Sequence, residues 1–210
     1  MQHLILRDLM SKGAEILDFT LSDFQLDQYQ EYYDLLIFWN KSINLTTLVG
    51  EKEVAEKHFL DSLAYVKGFP KDRYDLQILD IGSGAGFPGV PLKILIPQLK
   101  MTLIEPSYKR TSFLHLLNSK LRLDLRIIES RGEEWLATCR DAFDVIVMRA
   151  VGELDHFIEH FSDRLASGGR FIVSRGPSPI AFRNRTGRRV EKITLTLPNT
   201  EIERILLVIQ

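Results

Sequence analysis

One aspartate and four glycines lie close together at residues 80–89, where the sequence reads DIGSGAGFPG. The apolar run at residues 77–81 is of the kind that forms a short buried strand. Glycines directly after a strand let backbone N–H groups approach a ligand that side chains would keep away. The segment therefore predicts a cofactor-binding loop, with a purely structural strand and turn as the plain alternative.

Two classes of ligand use such a loop, and the aspartate favours one of them. Residues 84–89 match the GxGxxG pattern of dinucleotide sites, but a single match is weak, and counting from Gly82 puts Phe87 where the third glycine belongs. Asp80 ends the strand, where its carboxylate would repel a pyrophosphate and attract a cation. S-adenosylmethionine carries a positive sulfonium and an ammonium group, so we predict it as the cofactor.

A second acid, Glu105, ends the next apolar run at roughly the spacing, about 20 residues after the loop, at which nucleotide-binding folds place a carboxylate for ribose hydroxyls. Taken alone, Glu105 is also explained as a solvated acid at the start of the following helix. Its spacing from the glycine loop favours the ribose role.

The secondary structure that must position these residues is predicted to be helical in the first part of the chain and alternating strand and helix in the rest. Residues 1–68 have helical periodicity, seen in Leu26, Tyr29, Tyr33, Leu36 and Ile37, whereas strands and helices alternate after that point. The predicted strands are 77–81, 100–104, 125–128, 143–148, 170–174 and 206–209, with a helix at 153–165.

This alternation predicts an α/β fold with a doubly wound, mostly parallel sheet. Residues 192–197 and 202–209 are joined by a Pro-Asn turn and predict an antiparallel hairpin at the C-terminal end. We expect a helical N-terminal cap at residues 1–68 and a catalytic domain at residues 69–210.

Composition narrows the class of protein. The chain has 210 residues, 45% of them hydrophobic, which is enough for one large core. Its single cysteine, Cys139, excludes an intramolecular disulfide, and no Cys/His spacing predicts a metal site. With neither an export signal nor a membrane-spanning apolar run, we expect a cytoplasmic protein that uses no membrane and no metal.

The formal net charge of −1 is the sum of an acidic N-terminal part and a basic remainder. Residues 1–68 carry 6 basic and 11 acidic residues, whereas the remainder has a net charge of +4. The basic residues are densest in a turn-rich late loop, which predicts contacts with the phosphates of a nucleic acid; a merely solvated loop is the alternative. The candidate residues are Arg175, Arg183, Arg185, Arg188 and Arg189.

Three motifs together resemble one bacterial family. The sequence LDIGSGAGFPGVPL at 79–92 follows WNKSINLT at 39–46 and HFLDSL at 58–63. The combination closely resembles the bacterial ribosomal small-subunit methyltransferase G family, also called glucose-inhibited division protein B, over nearly the whole chain. The resemblance implies a class I, Rossmann-like methyltransferase that transfers a methyl group from S-adenosylmethionine to guanine N7 of small-subunit ribosomal RNA.

The same resemblance implies roles for further residues. Gly82 and Phe87 would line the cofactor site, and Gly132 and Glu133 would contact the adenine end, where a carboxylate accepts hydrogen bonds from an amino group. Arg149 would face cofactor and substrate at the carboxyl edge of the sheet, with a structural ion pair as its alternative. The predicted cofactor-binding residues are Asp80, Gly82, Gly84, Phe87, Glu105, Gly132, Glu133 and Arg149.

Two features of the sequence leave open questions. Where relatives commonly have Lys-Gly after the fifth strand, this chain has Arg175 and Gly176, which keeps the charge but changes its geometry. His58 and Asp61 lie about one helical turn apart and would either order the edge of the site or form a hydrogen-bonded pair between cap and core.

The reaction itself asks little of side chains. Guanine N7 has a free lone pair, so methyl transfer requires no prior proton removal, and we predict no essential general base. Arg149 is our candidate for a positioning role, with orientation and charge tolerance supplying the rate. The target base must be accessible, with Phe87 or another aromatic side chain available for stacking.

We expect a monomer whose partner is small-subunit ribosomal RNA, either free or in the assembled subunit. Two other functions fit the fold. One is a class I methyltransferase acting on a small molecule or protein, for which the late arginines would be dispensable. The other is a noncatalytic RNA-binding or ribosome-assembly factor, which would fail to bind S-adenosylmethionine.

Overall fold

The computed structural model describes residues 4–71, 73–149, 154–175 and 184–210, with the side chains of Leu4 and Arg175 outside the description. The helices are α1 (Leu4–Ile16), α2 (Asp23–Ile43), α3 (Glu51–Val54), α4 (Asp61–Leu63), α5 (Gly89–Leu95), α6 (Tyr108–Leu121), α7 (Gly132–Leu136) and α8 (Leu154–Phe161). A π-helix (Ala55–Leu60) joins α3 to α4, and 3₁₀-helices follow α4 (Ala64–Gly68) and α8 (Ser162–Arg164).

Seven described strands form one sheet in the order β3-β2-β1-β4-β5-β7-β6. Their bounds are β1 (Gln77–Ile81), β2 (Lys100–Glu105), β3 (Arg126–Glu129), β4 (Phe143–Arg149), β5 (Leu165–Arg175), β6 (Val190–Thr196) and β7 (Glu203–Ile209). The strands from β1 to β5 pair in parallel, whereas β7 runs antiparallel to both β5 and β6. The predicted α/β class, the mostly parallel sheet and the antiparallel terminal hairpin are confirmed.

Alternation along the strands divides the core between the two faces of the sheet. Ile78 and Val145 belong to a cluster that includes side chains of α1, α2, α5 and α6, whereas Leu79 and Ile146 belong to a second cluster with α7 and α8. Because successive side chains of a strand point to opposite faces, a strand that is buried on both faces has a continuous apolar sequence. The result is three layers, with helices on both sides of the sheet.

Two boundaries differ from the sequence prediction by four or five residues. The helix predicted for 153–165 is shorter, with α8 ending at Phe161, and Glu153 lies outside the described residues. β5 begins at Leu165 instead of Arg170, with a shift of register against β4 between Phe143 and Val145. Gly168 has φ 75° within this shift, so the glycines that indicate a turn instead form an irregular strand start.

Helix α2 packs closely against the sheet domain. Ser22 and Gln25 form a capping box at its start, and the Gln25 side-chain amide also donates to the carbonyls of Ile94 and Leu95. Gln25 thereby satisfies carbonyls at the end of α5, which have no partner within their own helix. The Tyr29 hydroxyl donates to the carbonyl of Pro91, in the first half of α5. The division into a cap at 1–68 and a domain at 69–210 stays a prediction, since residues of both parts share one hydrophobic cluster.

Candidate active site

The register of the sheet brings the predicted site residues to one edge. Ile81 pairs with both Ile104 and Met148, and Glu105 pairs with Glu129 at the end of β3. The residues that follow these strands therefore meet at the carboxyl edge, which is where open α/β sheets bind their ligands.

Asp80 lies just inside this edge and is fully buried. Its Oδ2 accepts a hydrogen bond of 2.9 Å from the N–H of Gly89, at the start of α5, whereas its Oδ1 has no hydrogen-bond partner among the residues that the structure describes. Burial raises the pKa of Asp80 from its ordinary value of 3.8 to about 7, partly offset by the Gly89 hydrogen bond. A buried carboxylate with one free oxygen favours a positively charged ligand group.

The four glycines of the loop play two different roles. Gly82 (φ 71°) and Gly84 (φ 59°) are accessible, and a Cβ added at Gly82 would have no heavy atom of a described residue within 4 Å. Gly86 and Gly89 are buried, and an added Cβ would lie 2.8 Å from the Tyr32 hydroxyl or from Asp80 Oδ2, respectively. The first pair therefore keeps space open beside the backbone, and the second pair allows close packing beneath it.

The backbone N–H groups of the loop are largely engaged within the protein. Those of residues 82–84 donate to Ile104 and Glu105, and those of residues 86–87 donate to the carbonyl of Ser83. A pyrophosphate site needs such N–H groups directed at the ligand. Together with the Asp80 carboxylate, these hydrogen bonds weigh against the dinucleotide alternative.

Glu105 is buried and closes the loop from the neighbouring strand. Its Oε2 accepts from the N–H of Gly84 at 2.9 Å, its Oε1 accepts from the N–H of Ser107 at 3.0 Å, and Arg110 lies 3.7 Å from Oε1. The carboxylate is thereby fixed beside the open side of the glycine loop. Each of its oxygens has a further lone pair for a hydroxyl donor.

Phe87 packs in an aromatic cluster. Its ring stacks on His58 at a centroid distance of 4.5 Å and on Tyr32 at 5.4 Å, and the residue is only 7% exposed. Rings that already stack against it leave little of Phe87 for a nucleobase. The structure therefore gives Phe87 a packing role, and the suggestion that it stacks on the target base loses support.

His58 is neutral in this cluster. Two effects lower the pKa of His58 to about 3: burial, which is the larger, and the positive charge of the nearby Arg149 guanidinium. Its Nε2 lies 2.7 Å from the Thr46 hydroxyl, and the Asn40 side-chain amide donates to the Thr46 carbonyl and accepts from the Thr46 N–H. The two N-terminal motifs are thus in direct contact with each other and with the loop.

Arg149 ends β4 and is held by the helical segment. Its Nη2 donates to the Lys57 carbonyl at 2.6 Å and lies 3.1 Å from Asp61 Oδ2. Its Cζ is 5.7 Å from the centre of the Phe87 ring. The ion pair that was the alternative explanation is present, and it holds the guanidinium beside the glycine loop.

A profile of the family described as rRNA small subunit methyltransferase G matches residues 25–193. A relative from Caldanaerobacter subterraneus subsp. tengcongensis, named ribosomal RNA small subunit methyltransferase G, is 39% identical over 80% of this chain and 72% of its own. A second of the same name, from Alkaliphilus metalliredigens, is 37% identical over 96% of this chain and 89% of its own. The chain belongs to the rRNA small subunit methyltransferase G family. The resemblance seen in its three motifs is confirmed.

Solved structures agree on the fold of this methyltransferase G family member. Aeropyrum pernix fibrillarin, solved with natively bound S-adenosyl-L-methionine, has a TM-score of 0.56 at 15% identity and matches 72% of this chain and 76% of its own. A SAM-dependent methyltransferase from Aquifex aeolicus has a TM-score of 0.54 at 16% identity, over 75% of this chain and 92% of its own. At such identities the similarity shows the fold alone, and it is the predicted class I methyltransferase fold.

Gly132 and Glu133 are the first two residues of α7, which follows β3 at the carboxyl edge of the sheet. Gly132 is buried, and a Cβ there would lie 2.9 Å from the Phe161 ring, so the glycine also allows α8 to pack closely. Glu133 is exposed, with its Oε1 3.7 Å from Nε2 of His156. These residues follow β3, next to Glu105, as the predicted adenine contacts would require.

The late arginines are more dispersed than their sequence spacing indicates. The backbone N–H of Arg185 donates to Asp155 at the start of α8, close to the carboxyl edge. Arg188 lies over the Phe171 ring at 6.0 Å, and Arg189 pairs with Gln210 near the opposite end of β5. Arg183 lies outside the described residues, as does the side chain of Arg175.

Sequence reasoning missed two tyrosines that support the site. Tyr32, which the predicted helical stripe did not include, donates to the Ala85 carbonyl at 2.6 Å, and Tyr65 donates to the Met148 carbonyl at 2.8 Å. Both are fully buried. Their spacing is that of ordinary core residues, so only the fold reveals that they hold the loop and the end of β4.

Within the described ranges, no group of three or more His, Cys, Asp or Glu residues is arranged to hold a metal ion.

Proposed function

We propose that this protein transfers the methyl group of S-adenosylmethionine to N7 of a guanine in small-subunit ribosomal RNA. Membership of the methyltransferase G family supports the reaction and the class of substrate. The observation that carries the cofactor assignment is the buried Asp80 carboxylate beside the glycine loop, whose Oδ1 has no hydrogen-bond partner among the described residues.

We propose that the residues at this edge hold S-adenosylmethionine along its whole length. Asp80 would face the ammonium group, Gly82 and Gly84 would border the ligand, and Glu105 would accept from the ribose hydroxyls. Gly132 and Glu133 would hold the adenine. Phe87 and Arg149 would support the methionine end from the helical side.

The cofactor supplies a methyl group on a positively charged sulfur, and the protein must orient the acceptor behind it. Guanine N7 needs no proton removed, so no side chain has to act as a general base. Arg149 is fixed at the loop and is our candidate for positioning the acceptor. The catalytic contribution we assign to the protein is orientation in a site that tolerates displaced positive charge.

The direct test is to incubate the protein with labelled S-adenosylmethionine and small subunits that lack the modification, or with protein-free RNA, and then map the labelled nucleotide. Label on guanine N7 of either RNA supports the proposal and tells which form is the substrate. Cofactor binding without RNA labelling would point to a different acceptor. Absence of cofactor binding in calorimetry would leave a noncatalytic RNA-binding factor.

We further propose that the late arginines contact RNA phosphates. Arg185 and Arg189 are exposed, and Arg185 adjoins the site through Asp155. Charge reversal of Arg185 and Arg189 should raise the KM for RNA and leave the affinity for S-adenosylmethionine unchanged. Lys100→Glu, at the start of β2 and outside the late loop, is the matched control. An unchanged KM for RNA in the reversed variant would contradict an RNA role for the loop.

Arg175 and Arg183 belong to the same proposal. Arg175→Lys restores the residue that relatives commonly carry, and the RNA affinities of Arg175→Lys and Arg183→Glu test each position separately. An unchanged KM for RNA in Arg183→Glu would remove that residue from the phosphate-contacting set.

The remaining proposals concern organisation. We propose a monomer, to be tested by light scattering at working concentration. No helix in the described ranges is long and apolar enough to span a membrane. We propose that the protein acts in the cytoplasm, where its RNA substrate is, with residues 1–68 serving as a cap on the methyltransferase domain at 69–210.

A further inference from the structure

Asp61 is buried between two arginines that come from different strands. Its Oδ2 lies 3.1 Å from Nη2 of Arg149, and its Oδ1 lies 2.8 Å from Nε of Arg204. Asp61 is 2% exposed, whereas the side chains of both arginines are about one fifth exposed. A carboxylate that is out of contact with water needs such partners, and here each oxygen has one.

The sheet explains why the two arginines converge. β4 and β7 flank β5, and Ser174 of β5 pairs with Arg149 on one side and with Leu206 on the other. Arg204 lies two residues before Leu206 on β7, so both guanidinium groups start near the same edge. Asp61 reaches this edge from the helical segment that carries the HFLDSL motif.

The polar contacts of the Arg149 guanidinium with described residues are all made by Nη2. Nη2 contacts both the Asp61 carboxylate and the backbone carbonyl of Lys57. Lys57 belongs to the π-helix. Nη1 is buried and has no hydrogen-bond partner in the described part of the chain. The cap therefore fixes one nitrogen of Arg149, and the other remains as a donor beside the glycine loop.

We propose that Asp61 is the positioning residue of Arg149: it fixes the guanidinium so that Nη1 serves the methyl-transfer site, and Arg204 holds Asp61 in place. This inference rests on the proposed function, because it assigns Arg149 to that reaction. Asp61 itself acts only through Arg149.

A double-mutant cycle tests this coupling. Asp61→Asn keeps the shape of the side chain and removes its charge, and Arg149→Met removes the guanidinium. Each variant should lower kcat for methylation of small subunits by about 10- to 100-fold, as misplacement of a positioning group does. The double variant should be no slower than Arg149→Met alone, because the two changes remove the same interaction. Effects that multiply in the double variant would overturn the proposal.

Two controls separate positioning from folding. Asp144 is also bound to an arginine, Arg73 at 2.9 Å, and to the N–H of Gln77, but it lies at the opposite end of β4. Asp144→Asn should leave kcat unchanged. All rates are measured at least 10 °C below the lowest melting temperature in the set. A kcat for Asp61→Asn equal to that of the wild type, together with a lower Tm, would reduce Asp61 to a structural ion pair.

A second readout does not depend on activity. In arginine-¹⁵N-labelled protein, the guanidinium signals of Arg149 should be sharp in the wild type and broadened or averaged in Asp61→Asn, while those of Arg73 stay unchanged. Unaltered Arg149 signals in Asp61→Asn would overturn the proposal, whatever the activity. A wild-type protein with the expected signals but no methyl transfer would instead contradict the proposed function and leave the positioning of Arg149 by Asp61 established.

Discussion

Binding of S-adenosylmethionine should weaken as the pH falls below about 7, because Asp80 takes up a proton there. The buried carboxyl attracts the ammonium group of the ligand only when it is ionised. Its raised pKa means that the free protein holds a protonated Asp80 over a range in which an exposed aspartate is already charged.

The size of the effect follows from the fraction of protein that is ionised. With a pKa of about 7, roughly half of the molecules are competent at pH 7, about a tenth at pH 6 and about a hundredth at pH 5. The apparent Kd should therefore rise about tenfold for each pH unit well below 7, which corresponds to about 1.4 kcal/mol per unit. At saturating ligand the rate should show no such dependence, since bound cation keeps Asp80 ionised.

The protonation of Asp80 should also make the stability of the folded protein depend on pH. The folded-state pKa of Asp80 lies above its unfolded value, so the folded protein binds more protons between about pH 4 and 7. The contribution of Asp80 to the stability of the free protein should therefore fall as the pH rises through this window. The increase in Tm caused by saturating S-adenosylmethionine should accordingly be larger at pH 7 than at pH 6.

Titration calorimetry from pH 5.5 to 7.5 measures the dependence. Asp80→Asn should bind more weakly and lose the slope, and Asp144→Asn should keep it. A ligand without the amino-acid part, 5′-methylthioadenosine, should show no slope with the wild-type protein. A flat Kd for S-adenosylmethionine, or an equal slope in Asp80→Asn, would refute the assignment of this carboxylate.

Two substitutions should destabilise the site for different reasons. Gly89→Ala places a methyl group against the buried side chain of Leu103, and we expect a loss of about 1–3 kcal/mol in the free energy of unfolding. Tyr65→Phe leaves the Met148 carbonyl and the Ser174 N–H without their hydroxyl partner, and we expect a loss of about 1–3 kcal/mol. Denaturant titration measures both.

Each of these changes has a matched control. Gly50→Ala adds a methyl group that meets only the Glu53 side chain at ordinary distances, so its stability should stay within about 0.5 kcal/mol of the wild type. Tyr33→Phe removes a more exposed hydroxyl, bound to the Val49 carbonyl, and should cost less than Tyr65→Phe. Equal losses within either pair would show that packing and burial at the site have been misjudged.

The strands, and the placing of the site residues at the ends of those strands, could be predicted from the sequence because both depend on local patterns. Strand β1 matches its prediction at both ends, β2 and β4 each end one residue later than predicted, and β3 is shifted by one residue at both ends. An acid followed by glycines, and a second acid at the end of the next strand, form a local signal, since parallel strands bring their ends to one edge. The family followed from three motifs in the same way.

What the sequence did not reveal depends on contacts between distant segments. Nothing near Asp61 indicates Arg204, which is 143 residues away, and nothing near Tyr32 indicates the carbonyl of Ala85. The dispersion of the late arginines is of the same kind, because an antiparallel strand moves Arg189 away from the edge that Arg185 adjoins. Charge density along a chain does not specify a surface.

The two site-supporting tyrosines have a consequence for the order in which the nascent chain acquires its structure. The helices that carry Tyr32 and Tyr65 leave the ribosome first, but the carbonyls that bind their hydroxyls lie 53 and 83 residues later. Tyr32 lacks its partner until residue 85 has been synthesised, and Tyr65 lacks its partner until residue 148, so the N-terminal segment should remain incompletely packed and exposed to proteases during much of synthesis. In this chain the first segment to emerge is therefore expected to be among the last to reach its final packing.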